Sequence, residues 1–157
     1  MDYIAAMRNR HTVRSFTTTP IEAWKCERLE QSIATLNAEH NLSMQLIIGD
    51  GRAFGMVLRA VLAKNATNYI ALVGPDDDAT NERLGWCGSQ LMLEAQDMGL
   101  NSWWIALTYN EANVAKLVGL KSDQRLIGII VVGYGATQGK PHRSRRATDV
   151  VTLTAAD

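Results

Sequence analysis

The sequence has few cysteines, no excess of charge of either sign and no long apolar run. Two cysteines, Cys26 and Cys87, are too few for a disulfide framework and lack the spacing of a metal site. Basic and acidic residues number 16 each, so net charge favours neither nucleic acid nor membrane. No stretch approaches the roughly 18 apolar residues that span a bilayer, and the N-terminus lacks a secretory apolar run. We therefore expect a cytoplasmic protein with reduced thiols, no metal site and no nucleic-acid or membrane partner.

The remaining composition is typical of a globular protein. Hydrophobic residues make up 46% of the 157 positions and charged residues 20%, enough to build one sizeable core. No internal repeat, low-complexity tract or linker divides the chain. We expect a single domain over residues 1–157.

Apolar periodicity predicts helices that alternate irregularly with about four strands. This order favours an α+β fold with a central mixed sheet of about four strands flanked by helices, rather than a bundle or a sandwich. The predicted helices are 2–9, 20–36, 53–63, 80–98 and 111–118, and the predicted strands are 44–48, 68–73, 102–107 and 126–132.

Four of these helices carry specific expectations. The first helix should turn Ile4 and Met7 inward. The second should begin at a capping box formed by Thr19 and Glu22, and the last should be capped by Asn110. The longest should end at Gly99, and its inner stripe falls at helical spacing on Leu84, Gly88, Leu91, Ala95 and Met98.

A basic turn follows the first predicted helix. Six polar donors fall within eight residues, namely Arg8, Arg10, His11, Thr12, Arg14 and Ser15. Guanidinium groups bind oxyanions in a bidentate manner and hydroxyls complete the shell, so the turn can form a phosphate or carboxylate cradle. The alternative interpretation is a solvated basic turn with no ligand.

A second basic cluster lies in the tail, at His142, Arg143, Ser144, Arg145 and Arg146. It is either a second oxyanion clamp or a flexible basic tail, since no aromatic residues interleave with it as in nucleic-acid binders. The preceding Gly-Lys pair is not a P-loop, because Tyr134 stands where a glycine is required and Pro141 replaces the Ser or Thr. Nothing indicates a Ser/His/Asp or Cys/His nucleophile, which leaves hydrolase chemistry without residues.

Four segments together resemble the nitroreductase-like, FMN-dependent oxidoreductases, in the family's order and most closely in its small, shortened subgroup. The segment 10–16 is similar to the N-terminal phosphate motif, and 68–74 to the strand before the long central helix. The passage 85–107 resembles the family's helix-turn-strand unit. The last core strand and the second phosphate segment are matched by 130–135 and 141–145.

The resemblance implies a set of cofactor-binding residues. Arg10, Thr12 and Arg14, with His11 supporting them, would hold the FMN phosphate. The tail would close on the same phosphate, and a strand edge would run beside the isoalloxazine ring. The tail residues are Arg143 and Arg145, and the strand edge is formed by Trp104, Ile105 and Ala106.

The implied activity is a two-step oxidoreduction in which NAD(P)H reduces FMN, and the flavin then reduces a nitroaromatic, quinone or similar small-molecule acceptor. The flavin carries the chemistry, so no catalytic side chain is expected. The resemblance also implies a homodimer. The alternative is a degenerate relative that binds flavin or another anionic nucleotide without turnover, because the Pro-Ser and Gln-Pro stretch of the family's C-terminal segment is not found in this sequence.

Overall fold

The computed structural model describes residues 1–55, 63–140 and 146–149. Short 3₁₀ turns occupy Gly51–Ala53 and Ala147–Asp149. The helices within the described residues are α1 (Tyr3–Asn9), α2 (Ala23–His40), α3 (Thr80–Asp97) and α4 (Glu111–Val118). The strands are β1 (Gln45–Ile47), β2 (Tyr69–Pro75), β3 (Asn101–Ile105) and β4 (Gln124–Gly133).

The four strands form one sheet in the order β1-β2-β4-β3. Each neighbouring pair is antiparallel, and parallel pairing among the described residues is limited to an isolated bridge between Thr12 and Ser102. The predicted α+β fold with four strands flanked by helices is confirmed. Within the described residues, the sheet is mixed only through that one parallel bridge. The most apolar strand, β4, lies inside the sheet as expected.

Both faces of the sheet are covered. On one face, α2 and α3 pack against inward side chains of β2 and β4, including Ile70, Leu72, Ile130 and Val132. The opposite face is covered by Phe16, Phe54 and α4, which pack on the alternate residues Tyr69, Ala71, Ile129 and Val131. Because neither face meets water, these strands have continuous apolar runs instead of an alternating pattern.

The long helix α3 buries the predicted stripe. Leu84, Gly88, Leu91, Ala95 and Met98 are all buried, and Gly99 follows the helix end with a left-handed φ of 78°. A Cβ added at Gly88 would lie 2.7 Å from the ring of Trp104. Gly88 therefore permits a close approach between α3 and the sheet.

Two expectations about the N-terminal helices are wrong. Ile4 and Met7 are each 57% exposed, whereas Ala6 is the buried residue of α1. The second helix begins after Glu22 rather than at Thr19, and it continues to His40.

The late start of α2 has a tertiary cause. The amide of Thr17 donates to the carbonyl of Tyr134, 2.7 Å away, and the Glu22 carboxylate accepts a hydrogen bond from the Tyr134 hydroxyl. These contacts hold the chain extended along the end of β4, so the local capping signal is overridden. The predicted helix over 53–63 falls largely on 56–62, outside the described residues.

Candidate functional site

An extended segment, residues 10–17, runs past the outer edge of β3. The amide of Val13 donates to the carbonyl of Ser102 over 3.2 Å. Val13 and Phe16 are 2% and 3% exposed, so their side chains anchor the segment in the core. Thr12 and its polar neighbours are left facing outward.

The turn that follows β4, residues 134–140, lies beside this segment. The amide of Thr17 donates to the carbonyl of Tyr134, and the amide of Ala136 donates to the carbonyl of Ser15 over 2.8 Å. These bonds join two parts of the chain more than 110 residues apart in sequence. The two segments form one structural unit, although neither has regular secondary structure.

Gly139 brings the turn closest to the segment. Its φ is 76°, and a Cβ there would lie 2.7 Å from the Cβ of His11 and 3.0 Å from the carbonyl oxygen of Thr12. Glycine alone fits both the left-handed backbone and this spacing. The His11 ring contacts the carbonyl of Asn9 through Nδ1 at 2.9 Å. This contact holds the ring against the backbone rather than in the cleft.

A cleft of about 700 Å³ lies between the segment and the turn. It is lined by Arg10, Thr12, Val13, Arg14, Ser15, Thr137, Gly139 and Lys140. Three of these side chains are cationic and three are hydroxyls, and no carboxylate is among them. This donor set is suited to an oxyanion such as phosphate.

Arg10 provides the sharpest evidence for a ligand. Its Nη1 is buried and has no hydrogen-bond partner among the described residues. A buried guanidinium nitrogen without an acceptor costs roughly 1–3 kcal/mol or more. Arg10 also lines the cleft, and the cationic and hydroxyl side chains gathered there fit a bound phosphate group.

Arg14 lies over an aromatic ring at the same cleft. Its guanidinium carbon is 5.5 Å from the centroid of the Trp103 ring, and Trp103 also stacks on Phe54 at 6.3 Å with an interplanar angle of 6°. The cation–π contact stabilises the guanidinium at this position and leaves its N–H groups available to an anion.

The backbone of β3 presents alternate residues to the open side of the strand. The carbonyl of Ser102 points outward to the 10–17 segment, whereas the carbonyl of Ile105 points inward at Gly128, where an added Cβ would lie 2.6 Å away. Backbone groups alternate along an antiparallel strand. The polar backbone groups of Trp104 are therefore directed to the open edge.

The side chains of the same three residues serve different purposes. The Trp104 ring packs on Gly88 of α3, and Ile105 is 4% exposed in the opposite core. Ala106 is exposed at the end of the strand. Of the predicted strand-edge residues, Trp104 turns its backbone groups to the open edge, while Ile105 turns both its carbonyl and its side chain away.

A protein-family model described as "Putative TM nitroreductase" matches residues 2–157 of this chain. The chain belongs to this nitroreductase family. The match confirms the family assignment inferred from the four sequence segments.

Solved structures of nitroreductase-family proteins share this fold. A nitroreductase-like family protein from Bacillus cereus is 20% identical with a TM-score of 0.74, covering 99% of this chain and 97% of that one. Nitroreductase A from Vibrio parahaemolyticus has a TM-score of 0.77 at 15% identity, covering 99% and 76%. An FMN-dependent nitroreductase from Clostridium difficile R20291 has a TM-score of 0.70 at 16% identity, covering 97% and 99%. A search of curated protein sequences finds no match.

The nitroreductase chain brings together part of its predicted site. Arg10, Thr12 and Arg14 line one cleft, and His11 lies behind them. Arg143 and Arg145 lie outside the described residues, so their predicted place beside the cleft stays a prediction. The expectation that the family's C-terminal segment is lacking is likewise untested.

Sequence reasoning missed the contribution of the 134–140 turn. Lys140 and Thr137 line the cleft, although the sequence identified this stretch only as a strand-ending turn. The nearest signal in the sequence was the position of Lys140, which precedes the predicted tail cluster by two residues.

None of the helices in the described ranges is both long and apolar enough to cross a membrane. Within the same ranges no group of three or more His, Cys, Asp or Glu residues could hold a metal ion.

Proposed function

We propose that this nitroreductase-family chain binds FMN and functions as an NAD(P)H-dependent flavin oxidoreductase. The observation that carries the proposal is the buried Nη1 of Arg10, which lacks an acceptor among the described residues. Arg10 lines a cleft together with Arg14 and Lys140. A phosphate ester would accept charge-assisted hydrogen bonds from these groups. Family membership supports this choice of anion, as does the shared fold with a protein named as an FMN-dependent nitroreductase.

The chain would hold the phosphate through Arg10, Thr12 and Arg14, with the His11 backbone and ring supporting the segment. We include Arg143 and Arg145 in the proposed phosphate site because they follow Lys140 by three and five residues. Cations from both ends of the chain would then neutralise one dianion.

The proposed site for the isoalloxazine ring is the open edge of β3. The outward backbone groups of Trp104, with the backbone of Ala106 beyond them, would border the ring, and an N–H donor there would stabilise negative charge on it. Bound FMN supplies a hydride acceptor that takes electrons from NAD(P)H and gives them to a nitroaromatic, quinone or similar small molecule. The protein would position and polarise the flavin, so no side-chain acid or base enters the proposal.

A titration of the purified protein with FMN and with riboflavin tests the binding step. We expect saturable quenching of FMN fluorescence. Riboflavin lacks the phosphate, and a charge-assisted hydrogen bond contributes roughly 1.5–3 kcal/mol, so it should bind at least about tenfold more weakly. Equal affinity for both flavins, or no binding of either, would refute the phosphate site.

Anaerobic addition of NADH or NADPH to the flavin-loaded protein tests the enzymatic step. Loss of the visible flavin absorbance, and its recovery on adding a quinone or nitroaromatic, is the expected result. Flavin that stays oxidised with both nucleotides would instead assign the chain as a flavin-binding relative without turnover.

We also propose that the chain forms a homodimer through an apolar surface on α1 and α3. Tyr3 and Met7 of α1 and Trp86 of α3 are 46%, 57% and 68% exposed, and they line a hollow of about 360 Å³ with Ser89, Gln90 and Leu93. Contiguous exposed aromatic and methionine side chains are typical of protein interfaces. The family resemblance implies a homodimer, so we propose that a second copy of the chain covers this surface.

Sedimentation of a Trp86→Glu variant tests the dimer. We expect the wild-type chain to sediment as a dimer and the variant as a monomer, because the charge would be buried in the interface. Ile48→Glu is the matched control, since Ile48 is 48% exposed at the end of β1, away from the hollow. A monomeric wild type, or an equal effect of both substitutions, would contradict the assignment of this surface.

A further inference from the structure

Asn101, the first residue of β3, is a buried polar side chain beside the proposed phosphate site. It is 4% exposed. Its Oδ1 accepts a hydrogen bond from the amide of Gly135 over 2.9 Å, and its Nδ2 donates to Oε1 of Gln138 over 3.2 Å. One amide side chain thus bonds both to the start and to the middle of the 134–140 turn.

The turn fits tightly around this side chain. A Cβ added at Gly135 would lie 2.7 Å from Asn101 Oδ1 and 2.5 Å from the carbonyl oxygen of Thr137. The Gly135 amide therefore lies directly against its acceptor with no space for another side chain. A buried amide whose oxygen and nitrogen both bond to the turn fixes the backbone path of the turn.

Asn101 also belongs to the strand against which the 10–17 segment lies. The next residue, Ser102, accepts from the amide of Val13 in the 10–17 segment. Two residues further along β3, Trp104 turns its backbone to the open edge. Asn101 is the point at which this strand is joined through a side chain to the turn that carries Lys140.

We propose that Asn101 is a positioning residue that sets the 134–140 turn, and with it Lys140, against the anion cleft. The inference rests on the proposed function for its ligand, FMN. Asn101 itself does not line the cleft, so it acts on phosphate through Lys140. A purely structural role would stabilise the fold without linking the contributions of Asn101 and Lys140 to binding.

A double-mutant cycle on FMN affinity separates the two roles. Asn101→Ala and Lys140→Ala should each weaken FMN binding by about tenfold or more, since each removes the same charge-assisted contact. Adding Lys140→Ala to Asn101→Ala should then change the affinity by less than about twofold. Gln138→Ala, which removes only one of the two hydrogen bonds of Asn101, should have a smaller effect than Asn101→Ala.

Riboflavin binding is the internal control in the same variants. Because riboflavin has no phosphate, its affinity should stay within about twofold of wild type. Additive effects of Asn101→Ala and Lys140→Ala on FMN, or an equal loss of riboflavin and FMN, would overturn the positioning role. If Asn101→Ala does not fold, Gln138→Ala replaces it in the cycle, because it removes the partner of the Asn101 Nδ2 donor without adding a charge near the phosphate.

Amide hydrogen exchange of the flavin-free protein gives a readout that does not depend on FMN. Asn101→Ala should speed exchange of the Gly135 amide and its neighbours in 134–140, while β4 keeps its protection. Unchanged exchange in the turn would overturn the inference. If the wild type binds no FMN but the turn loosens in this way, the positioning of the turn is supported and the proposed function has failed independently.

Discussion

The helix α3 differs from the cleft, which is formed by residues 10–17 and 134–140, in where its hydrogen bonds are made. The 18 residues of α3 satisfy their backbone hydrogen bonds locally and bury a continuous stripe against the sheet. The cleft has no regular structure, and the backbone hydrogen bonds between its two segments join residues more than 110 positions apart. It also leaves a buried nitrogen of Arg10 without an acceptor among the described residues. The helix contributes stability, whereas the cleft keeps an unpaired polar group at some cost in stability.

The largest effect expected from this contrast is on flavin binding. Arg10→Ala combined with Arg14→Ala removes two of the three cations that line the cleft. At roughly 1.5–3 kcal/mol for each charged hydrogen bond, FMN affinity should fall by about a hundredfold or more. Fluorescence titration measures the affinity, and circular dichroism should show an unchanged fold, because neither side chain is part of the core.

The matched control is Arg52→Ala combined with Lys116→Ala. These two cations line a separate hollow of about 270 Å³ between the 3₁₀ turn at 51–53 and α4. The control variant has the same net charge as the cleft variant, so it should retain FMN affinity within about threefold. Equal losses in both variants would indicate long-range attraction rather than a cradle.

The second effect is on stability and lies in the helix. In Gly88→Ala the new methyl group would overlap the rigid Trp104 ring, which lies 2.7 Å from where the Cβ would stand. Overpacking of a core costs about 1–3 kcal/mol, which exceeds the roughly 1 kcal/mol gained in helix propensity. Urea unfolding of the flavin-free protein should therefore show a net loss of about 1–2 kcal/mol. A stabilised variant would mean that α3 and β3 can separate at no cost.

A smaller effect is expected where the cleft joins α2. Tyr134 accepts a hydrogen bond from Lys25 and donates one to Glu22, both at 2.5 Å. The hydrogen bond from Tyr134 is the main cause that lowers the pKa of Glu22. Burial alone would lower the pKa of Lys25, but the hydrogen bonds to Tyr134 and Glu22 outweigh it and raise that pKa.

These directions fix the pH dependence. A lowered carboxyl pKa contributes stability above the unfolded value of about 4.5, and this stability is lost as pH falls through the folded pKa. Tyr134→Phe should cost about 0.5–1 kcal/mol at neutral pH. The difference from wild type should shrink as the pH is lowered below 4.5, as measured by thermal unfolding at several pH values. A constant difference across that range would exclude Glu22 as the titrating group.

The same contrast explains what the sequence can and cannot predict of the fold. The stripe of α3, the interior position of β4 and the Asn110 cap of α4 are predictable because their signals are local, and all three are confirmed. The capping box at Thr19 is equally local, yet a contact with Tyr134 overrides it. The predicted inward face of α1 is wrong because the helix buries Ala6 instead of Met7, which is 57% exposed.

The residues of the candidate site also differ in whether a local sequence signal predicts them. Arg10, Thr12 and Arg14 are close in sequence, so one motif is enough to predict that they act together. Asn101 and Lys140 have no motif, because their roles depend on which loop lies next to which strand. That information resides in the long-range pairing of β3 with β4 and in the bonds between the two cleft segments.

The smallest effect expected is a gain in stability on replacing Gly85, which precedes Gly88 in α3. A Cβ there would have nothing within 4 Å, in contrast to Gly88. Replacing a helical glycine by alanine stabilises a protein by about 0.4–1 kcal/mol when the backbone is compatible. Gly85→Ala should therefore raise the urea midpoint of the monomer, measured at protein concentrations below the dimer's dissociation constant.

The same substitution also probes the proposed dimer surface. Gly85 lines a separate hollow that shares Trp86 and Ser89 with the hollow of the proposed dimer surface, so the substitution tests whether the interface extends this far. A gain in the monomer together with weaker dimerisation would place Gly85 inside the interface, whereas a loss of stability in the monomer itself would contradict the open space on this face of α3.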